Sequence, residues 1–249
     1  MNNLSKNPFA EAVLARISLP TNALVVDLAC GLGRPGLDIA KRHPGVSVLG
    51  VDIAKDIIEQ AREIASADGL TNIELKVMDM EDLAIANSSI DVVVSLFGLL
   101  QVGDLERTIG EMARVLKNDG QFSIAAYEDI QQHTLMAAAI PVLSPYASSD
   151  LTPTYNSAAP GGYEKCLLAA GLRVAEAELF HCTISFASFE MVWQMLSSPQ
   201  MFGRLFAALS EPDLSSVKIE MQAALASFEN SQGNNYTFPM SCRLLWGRR

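Results

Sequence analysis

The sequence predicts an α/β domain in which a parallel sheet carries helices on both faces. Between residues 24 and 126, short apolar runs rich in β-branched residues alternate with segments of helical periodicity, and such alternation requires crossover connections. The chain has 249 residues, of which 49% are hydrophobic, so it is long enough for one large domain. The five expected strands are 24–28, 46–51, 73–78, 90–96 and 121–127.

Two connections between these strands show one apolar stripe each, which indicates amphipathic helices packed on the sheet. Apolar side chains recur at helical spacing at Ile57, Ala61, Ile64 and Ala65, and again at Leu105, Ile109, Met112 and Leu116. Asp104 stands where a helix N-cap is wanted.

The pattern changes after residue 128. A short apolar helix is expected at 135–143, inside a Pro- and Ser-rich stretch, 129–160, that is typical of an active-site loop or lid. A helix ended by Gly171 and an extended run, 173–186, resume the earlier alternation. Two or three amphipathic helices between 188 and 228 form an insertion, and a last strand follows at 236–246.

Composition excludes several classes of function. A net charge of −10 and few Lys and Arg argue against nucleic acid, whose binding requires neutralised phosphates. Cys30, Cys166, Cys182 and Cys242 lack the spacing of zinc ligands, so no metal site is expected, and their scatter fits free thiols in a reducing compartment. Neither a long apolar run nor a signal peptide is recognisable, so we expect a cytoplasmic protein without stable membrane insertion.

A glycine-rich loop follows the first strand. Gly31, Gly33 and Gly36 precede a helix, so the backbone can approach a ligand closely at the helix start. Taken alone, this spacing also fits a dinucleotide-binding loop, with Asp52 placed 19 residues after Gly33 as a ribose carboxylate. Asp27, four residues before the first glycine, distinguishes the two interpretations.

Four ordered stretches resemble the motifs of class I S-adenosylmethionine (SAM)-dependent methyltransferases. They are 27–33 (DLACGLG), 51–52 (VD), 77–83 (VMDMEDL), and 89–95 (SIDVVVS) followed by 114–120 (RVLKNDG). The pattern is most similar to the branch that includes ubiquinone and menaquinone biosynthesis enzymes and natural-product methyltransferases. The resemblance implies a Rossmann-like, mostly parallel sheet of seven strands in the order 3-2-1-4-5-7-6, with the last strand antiparallel. It also implies one methyltransferase domain over 1–249, with a SAM-binding core at about 20–128 and lid segments at about 129–160 and 187–235.

The resemblance assigns a role in SAM binding to each matched position. Asp52 would accept hydrogen bonds from the ribose hydroxyls, although it could instead cap the helix that starts at Lys55. Asp79 would accept from the adenine amino group, with the ring between Met80 and Ile53; Met80 could equally be a core residue. The remaining positions surround or orient the methionine half of SAM: Asp27, Gly31 and Gly33 and the backbone of Ala29 and Ser95. Ala29 replaces the glycine frequent in the family.

Candidate catalytic residues are fewer. His133 and His181 are expected at the pocket mouth, where each could act as a base or simply be bonded to the backbone. Many relatives carry a histidine where this chain has Gln101, which can orient a substrate but cannot act as a base. The Met- and Phe-rich lid segments fit either a packed core or a pocket for an apolar substrate.

The sequence thus predicts a SAM-dependent methyltransferase that acts on an oxygen, nitrogen or carbon atom of a small, apolar or aromatic metabolite. A protein of this fold that binds SAM without methyl transfer, with a binding or cyclisation role, is the alternative. An NAD(P)-dependent oxidoreductase is a weaker alternative, because Tyr163 and Lys165 have the wrong spacing for its proton donor. The expected partner is a small-molecule substrate, and a homodimer is compatible with the sequence.

Overall fold

The computed structural model describes residues 7–100, 102–127, 129, 132–148, 151, 161–198, 201–230 and 235–249. Its strands are β1 (Leu24–Leu28), β2 (Ser47–Asp52), β3 (Ile73–Val77), β4 (Ile90–Leu96), β5 (Leu116–Ala126), β6 (Arg173–Phe186) and β7 (Tyr236–Arg248). Its α-helices are α1 (Pro8–Leu14), α2 (Gly36–Arg42), α3 (Lys55–Ala67), α4 (Leu105–Val115), α5 (Thr134–Leu143), α6 (Gly162–Ala169), α7 (Phe189–Leu196), α8 (Gly203–Ala208) and α9 (Glu211–Leu225).

The strands form one sheet in the order β3-β2-β1-β4-β5-β7-β6, with helices on both sides. β1 pairs in parallel with β2 and β4, β2 with β3, and β4 with β5, whereas β7 runs antiparallel to β5. The fold class, the strand order and the antiparallel last strand predicted from the sequence are confirmed. The reversal of the strand order beside β1 places a crevice at the carboxyl ends of the strands, where ligands of such sheets bind.

The helices that pack on the sheet agree with the predicted stripes except at two residues. In α3, Ile64 is 38% exposed, whereas Ile58, which was not part of the predicted stripe, is fully buried. The buried face of this helix consists of positions 57, 58, 61 and 65. α4 ends at Val115, so Leu116 is not its last stripe residue but the first residue of β5, fully buried all the same. Asp104 is the N-cap of α4 and accepts from the Arg107 amide at 2.9 Å.

The chain divides into two compact units. Unit 1 contains residues 1–126, 157–180 and 243–249, and unit 2 contains 127–156 and 181–242. In unit 1 a large apolar cluster lines the sheet, with Val26, Leu28 and Val93 among its fully buried members. In unit 2, α5 packs against α9. The predicted lids, about 129–160 and 187–235, fall mostly in unit 2, and the single-domain organisation stays a prediction.

The described residues also show how the helices compare with membrane spans and whether the cysteines are paired. None of the helices in the described part of the chain is long and apolar enough to cross a membrane. The four cysteines all lie within the described ranges, and none of them forms a disulfide bond.

Candidate cofactor site

The loop after β1 turns by left-handed backbone at three residues. Ala29, Gly31 and Gly33 have φ angles of 50°, 55° and 92°. At Gly33 a Cβ atom would lie 2.8 Å from Cγ of Leu37, whose amide donates to the Gly33 carbonyl at 2.6 Å. A side chain at position 33 would therefore collide with the Leu37 side chain in the first turn of α2, and the φ of 92° independently favours glycine there.

Asp27 lies at the end of β1 and is fully buried. Its Oδ2 accepts from the Gly36 amide at 2.8 Å, and no group in the described residues bonds to its buried Oδ1. Burial raises the pKa of this carboxyl to about 8; the Gly36 amide opposes the rise and the nearby Asp52 adds to it. A Cβ on Gly36 would lie 2.9 Å from Oδ2, so the contact requires glycine there.

Asp52 ends β2 and links it to the loop. Its Oδ2 accepts from the Gly31 amide at 2.9 Å and its Oδ1 from the Ala54 amide at 3.0 Å. Each carboxylate oxygen offers two lone pairs, so each can accept a further bond. The N-cap of α3 is Ala54, which has no side chain that could cap the helix, and the bond from the Ala54 amide places one Asp52 oxygen at the helix start, so both roles suggested by the sequence stay predictions.

The predicted adenine pocket residues lie next to the ends of β2 and β3. Ile53 follows Asp52 and is 72% exposed, an unusual state for a large apolar side chain. Asp79 is exposed, and its Oδ1 accepts from the Glu81 amide at 2.8 Å. Met80 is half-buried against the apolar cluster of unit 1, so it is partly a core residue, as the alternative held.

Ser95, at the end of β4, is fully buried and donates from Oγ to the Leu28 carbonyl at 2.9 Å. This bond ties the ends of β1 and β4 together, so the side chain has a structural task and only the backbone could face a ligand. At Gly98, directly after β4, a Cβ would lie 2.5 Å from Cβ of Ala29. Gly98 is therefore the residue that accommodates alanine where the family often has glycine.

The structure brings Asp27 and Asp52 to the carboxyl edge of the sheet, where each accepts from a backbone amide of the glycine-rich loop, Asp27 from Gly36 and Asp52 from Gly31. The motif residue Asp91 lies at the other end of β4, where it accepts from the Leu24 amide at 2.9 Å and from Lys117 Nζ at 2.8 Å. Burial alone would raise the pKa of Asp91, but these two partners lower it. Asp91 thus holds strands together, and its place in the motif does not make it a ligand residue.

Two residues near the site were missed by the sequence reasoning. Glu81 bonds through its carboxylate to the amides of Gly103 and Asp104, and Gly98 occupies the crowded turn beside Ala29. Glu81, two positions after Asp79, is not part of any periodic pattern in the sequence, and its partner Gly103 lies 22 residues further along the chain. Only the glycine at 98 could have been noticed, as a small residue at a strand end.

His133, in unit 2, is the N-cap of α5. Its Nδ1 accepts from the Met136 amide at 3.3 Å, and its ring lies 5.2 Å from that of Tyr127. Burial lowers the pKa of His133 to about 4. At neutral pH the ring is uncharged with its proton on Nε2, so it can donate a hydrogen bond but has no free lone pair for a base.

His181 lies in β6 and is exposed. Together with neighbours from β7 and the start of α5, such as Thr134 and Ser241, it lines a cleft of about 400 Å³ within unit 2. Burial raises the pKa of the adjacent Cys182 thiol to about 11, so that lining residue is no nucleophile. The third catalytic candidate, Gln101, lies outside the described residues. Among those that are described, no three His, Cys, Asp or Glu side chains converge as metal ligands would.

Comparisons with known proteins find a match over the part of the chain that contains the residues at the carboxyl edge of the sheet. Residues 25–120 match a family model described as a methyltransferase domain. The ubiquinone/menaquinone biosynthesis C-methyltransferase UbiE of Geotalea daltonii is 32% identical over 114 residues, 45% of this chain and 48% of that protein. The methyltransferase GfsG of Streptomyces halstedii is 29% identical over 129 residues, 49% of this chain and 46% of that protein. The chain spans about half the length of these curated relatives.

Among solved structures, the YcgJ protein of Bacillus subtilis superimposes with a TM-score of 0.64 at 17% identity, over 97% of both chains. At that identity the likeness shows a shared fold. The family match covers the glycine-rich loop, Asp52, Asp79 and Ser95. Residues 25–120 of this chain are therefore similar to a methyltransferase domain, and the four ordered motifs noted in the sequence all lie within that match.

Proposed function

We propose that this protein transfers the methyl group of SAM to an oxygen, nitrogen or carbon atom of a small, apolar or aromatic metabolite. The observation that carries the proposal is the pair of carboxyl groups, Asp27 and Asp52, that each accept from an amide of the glycine-rich loop at the carboxyl edge of the sheet. There Asp52 orders the Gly31 turn while keeping lone pairs for two further bonds, and Asp27 offers a buried oxygen without a partner among the described residues.

The residues fit each part of SAM. Asp52 has the carboxylate that two ribose hydroxyls need, and the exposed Ile53 next to it offers an apolar surface to the adenine ring. Asp79, whose Oδ1 is oriented by the Glu81 amide, would accept from the adenine amino group. The open turn at Gly31, where no atom lies within 4 Å of a built Cβ, leaves room for the methionine half.

SAM, when bound, supplies an electrophilic methyl group on a sulfonium sulfur. The task of the chain is then to align donor and acceptor, and alignment supplies most of the rate that a protein can contribute to such a displacement. None of the side chains assigned to SAM has to change its protonation state for this task. A base is needed only where the acceptor atom must lose a proton.

On the acceptor side we propose His181 as the residue able to take a proton, because it is exposed and lines the cleft of unit 2. His133, with Nδ1 occupied, is proposed to donate a hydrogen bond from Nε2 and not to act as a base. Gln101 is proposed to orient the acceptor. The relative named for ubiquinone and menaquinone biosynthesis supports a small aromatic acceptor. The net charge of −10 supports the same class over nucleic acid.

Calorimetric titration with SAM, S-adenosylhomocysteine and NAD tests the cofactor. We expect binding of both SAM species and none of NAD. Asp52→Ala should weaken S-adenosylhomocysteine binding about 100-fold, because it removes two charge-assisted bonds to the ribose. Asp56→Ala, which removes an exposed carboxylate from the first turn of α3, is the matched control and should change little. NAD binding without a response to either SAM species would contradict the proposal.

Turnover of methyl-labelled SAM separates transfer from binding alone. We expect label to move to an organic-extractable product when phenols, quinols or arylamines are supplied together. If SAM binds, yet no member of a broad acceptor set and no cell extract yields a labelled product or S-adenosylhomocysteine, the methyl-transfer proposal is wrong and a SAM-binding role replaces it.

A further inference from the structure

Glu81 connects two loops at the carboxyl edge of the sheet. It stands two residues after Asp79, on the loop that leaves β3, and is half-buried. Its Oε1 accepts from the Gly103 amide at 2.6 Å and from the Asp104 amide at 3.0 Å, on the loop that leads from β4 into α4. One carboxylate oxygen therefore fastens the loop after β3 to the start of the next helix.

The backbone of Glu81 is held on both sides. Its amide donates to Asp79 Oδ1 at 2.8 Å, and its carbonyl accepts from Arg107 Nε at 2.7 Å. A Cβ on Gly103 would lie 3.2 Å from Glu81 Oε1, so glycine permits the short contact. Asp79 is exposed, and the bond from the Glu81 amide is its one described side-chain bond. Glu81 itself is held through its side chain by residues 103–104 and through its carbonyl by Arg107.

The following residues anchor the same loop from α4. The Leu83 amide donates to Glu111 Oε2 at 2.8 Å, and Arg114 Nη2 donates to the Leu83 carbonyl at 2.8 Å. Residues 81 and 83 are thus each bonded to α4 or its N-cap through a side chain. The Asp79 side chain, in contrast, has one described bond, from the Glu81 amide. The orientation of the Asp79 carboxylate therefore depends on Glu81.

We propose that Glu81 is a positioning residue for recognition of the adenine amino group: it sets the direction of the Asp79 carboxylate and fixes it relative to residues 103–104. This inference rests on the proposed function, since it concerns the same SAM site. Glu81 itself does not need to touch the cofactor. Removal of the Glu81 side chain should lower the preference for adenine over a base without the amino group. It should have a smaller effect on the affinity contributed by the rest of the ligand.

Calorimetry with two ligands tests this role: S-adenosylhomocysteine and S-inosylhomocysteine, in which a carbonyl oxygen replaces the amino group. We expect the unmodified protein to prefer the adenine form at least tenfold. Glu81→Ala should weaken the adenine form about tenfold and the inosine form by less than about twofold, and we expect the same pattern for Asp79→Ala. Glu81→Gln, which keeps a carbonyl oxygen for the two amides, should restore most of the preference.

Glu106→Ala is the matched control, because it removes an exposed carboxylate from the first turn of the same helix without touching the loop. Circular dichroism melts would check that each variant is folded. If Glu81→Ala does not fold, the affinities of Glu81→Gln for the two ligands are compared with those of the unmodified protein instead. An equal loss for both ligands, or no loss for either, overturns the positioning role alone. If the unmodified protein binds neither ligand, the proposed function fails and the inference fails with it.

Discussion

The carboxyl edge of unit 1 and the described part of unit 2 use their residues in opposite ways. The edge, formed by the ends of β1 to β4, contains a buried carboxyl with an unpartnered oxygen and two non-glycine residues in left-handed backbone, Ala29 and Phe97. Such features cost stability and persist where the surroundings hold them. In unit 2 no non-glycine residue in the described ranges has a positive φ. The edge thus combines a buried carboxyl with left-handed backbone, and the described part of unit 2 has neither.

The aromatic residues of unit 2 pack directly on one another. Phe238 is fully buried with its ring centroid 4.9 Å from that of Phe228 and 6.0 Å from that of Phe186. Trp193 packs edge to face on Phe206 at 4.9 Å. Of the two interpretations of the Met- and Phe-rich segments, the packed core is the one that these contacts support.

The largest effect is expected at the crowded turn of unit 1. Gly98→Ala should destabilise the protein by about 3 kcal/mol, because the new Cβ would lie 2.5 Å from the Ala29 Cβ and 2.7 Å from Ser95 Oγ. Gly110→Ala, inside α4 with nothing within 4 Å of the built Cβ, should instead stabilise by about 1 kcal/mol. Urea unfolding measures both.

Ala29→Gly sharpens the same test. In combination with Gly98→Ala it should recover part of the lost stability, since one of the three close contacts disappears and the backbone at position 29 has a φ of 50° that glycine adopts freely. If the changes in unfolding free energy of the two substitutions are strictly additive, the contact between the two Cβ atoms is not the reason why position 98 requires glycine.

The next effect concerns the pH dependence given by Asp27. Its pKa is about 8 in the folded protein against 3.8 ordinarily, so between these values the folded state keeps a proton that the unfolded state has lost. Its contribution to stability is complete below about pH 4 and is lost as the pH rises towards 8. We expect a loss on the order of 2 kcal/mol between pH 5 and 6.5, and a further loss up to pH 8.

Asp27→Asn should abolish that loss, because the amide keeps an acceptor for Gly36 and does not titrate. Asp56→Asn, on the first turn of α3, serves as the control, because that exposed carboxylate is not among the charges that shift the pKa of Asp27. Unfolding free energies measured at pH 5, 6.5 and 8 compare the variants. A slope with pH that is the same in Asp27→Asn and in the unmodified protein would show that Asp27 is ionised in the folded state.

The sequence predicted the carboxyl edge of unit 1 better than anything else, for a physical reason. Residues at strand ends are fixed by the parallel sheet, whose alternation is visible in the sequence, so Asp27, Gly31 and Asp52 could be placed together. Contacts between distant loops, such as Glu81 with Gly103, depend on how loops fold back and leave no periodic pattern. The boundary between α4 and β5 was missed because Leu116 continues the apolar stripe of the helix while already bonding as a strand.

The smallest effect is expected in unit 2, at the N-cap of α5. His133 has a pKa of about 4 in the folded protein against 6.5 ordinarily, so the unfolded chain takes up a proton between these values and the folded protein does not. The stability from neutral His133 is therefore complete above about pH 6.5 and is lost as the pH falls towards 4. His133→Asn keeps an N-cap acceptor and should remove this acid sensitivity. His133→Ala should remove the sensitivity too, but it should cost about 1 kcal/mol near neutral pH because the cap is lost.

Thermal melts from pH 7.5 to 4.5 compare these variants with His43→Asn, an exposed histidine at the end of α2 that should leave the pH profile unchanged. If His133→Asn retains the full acid sensitivity, the buried cap is not the titrating group and unit 2 owes its pH response to another residue. If it removes the sensitivity, then His133 stabilises a helix as a neutral ring. In that case the histidine left for proton transfer on the acceptor side is His181.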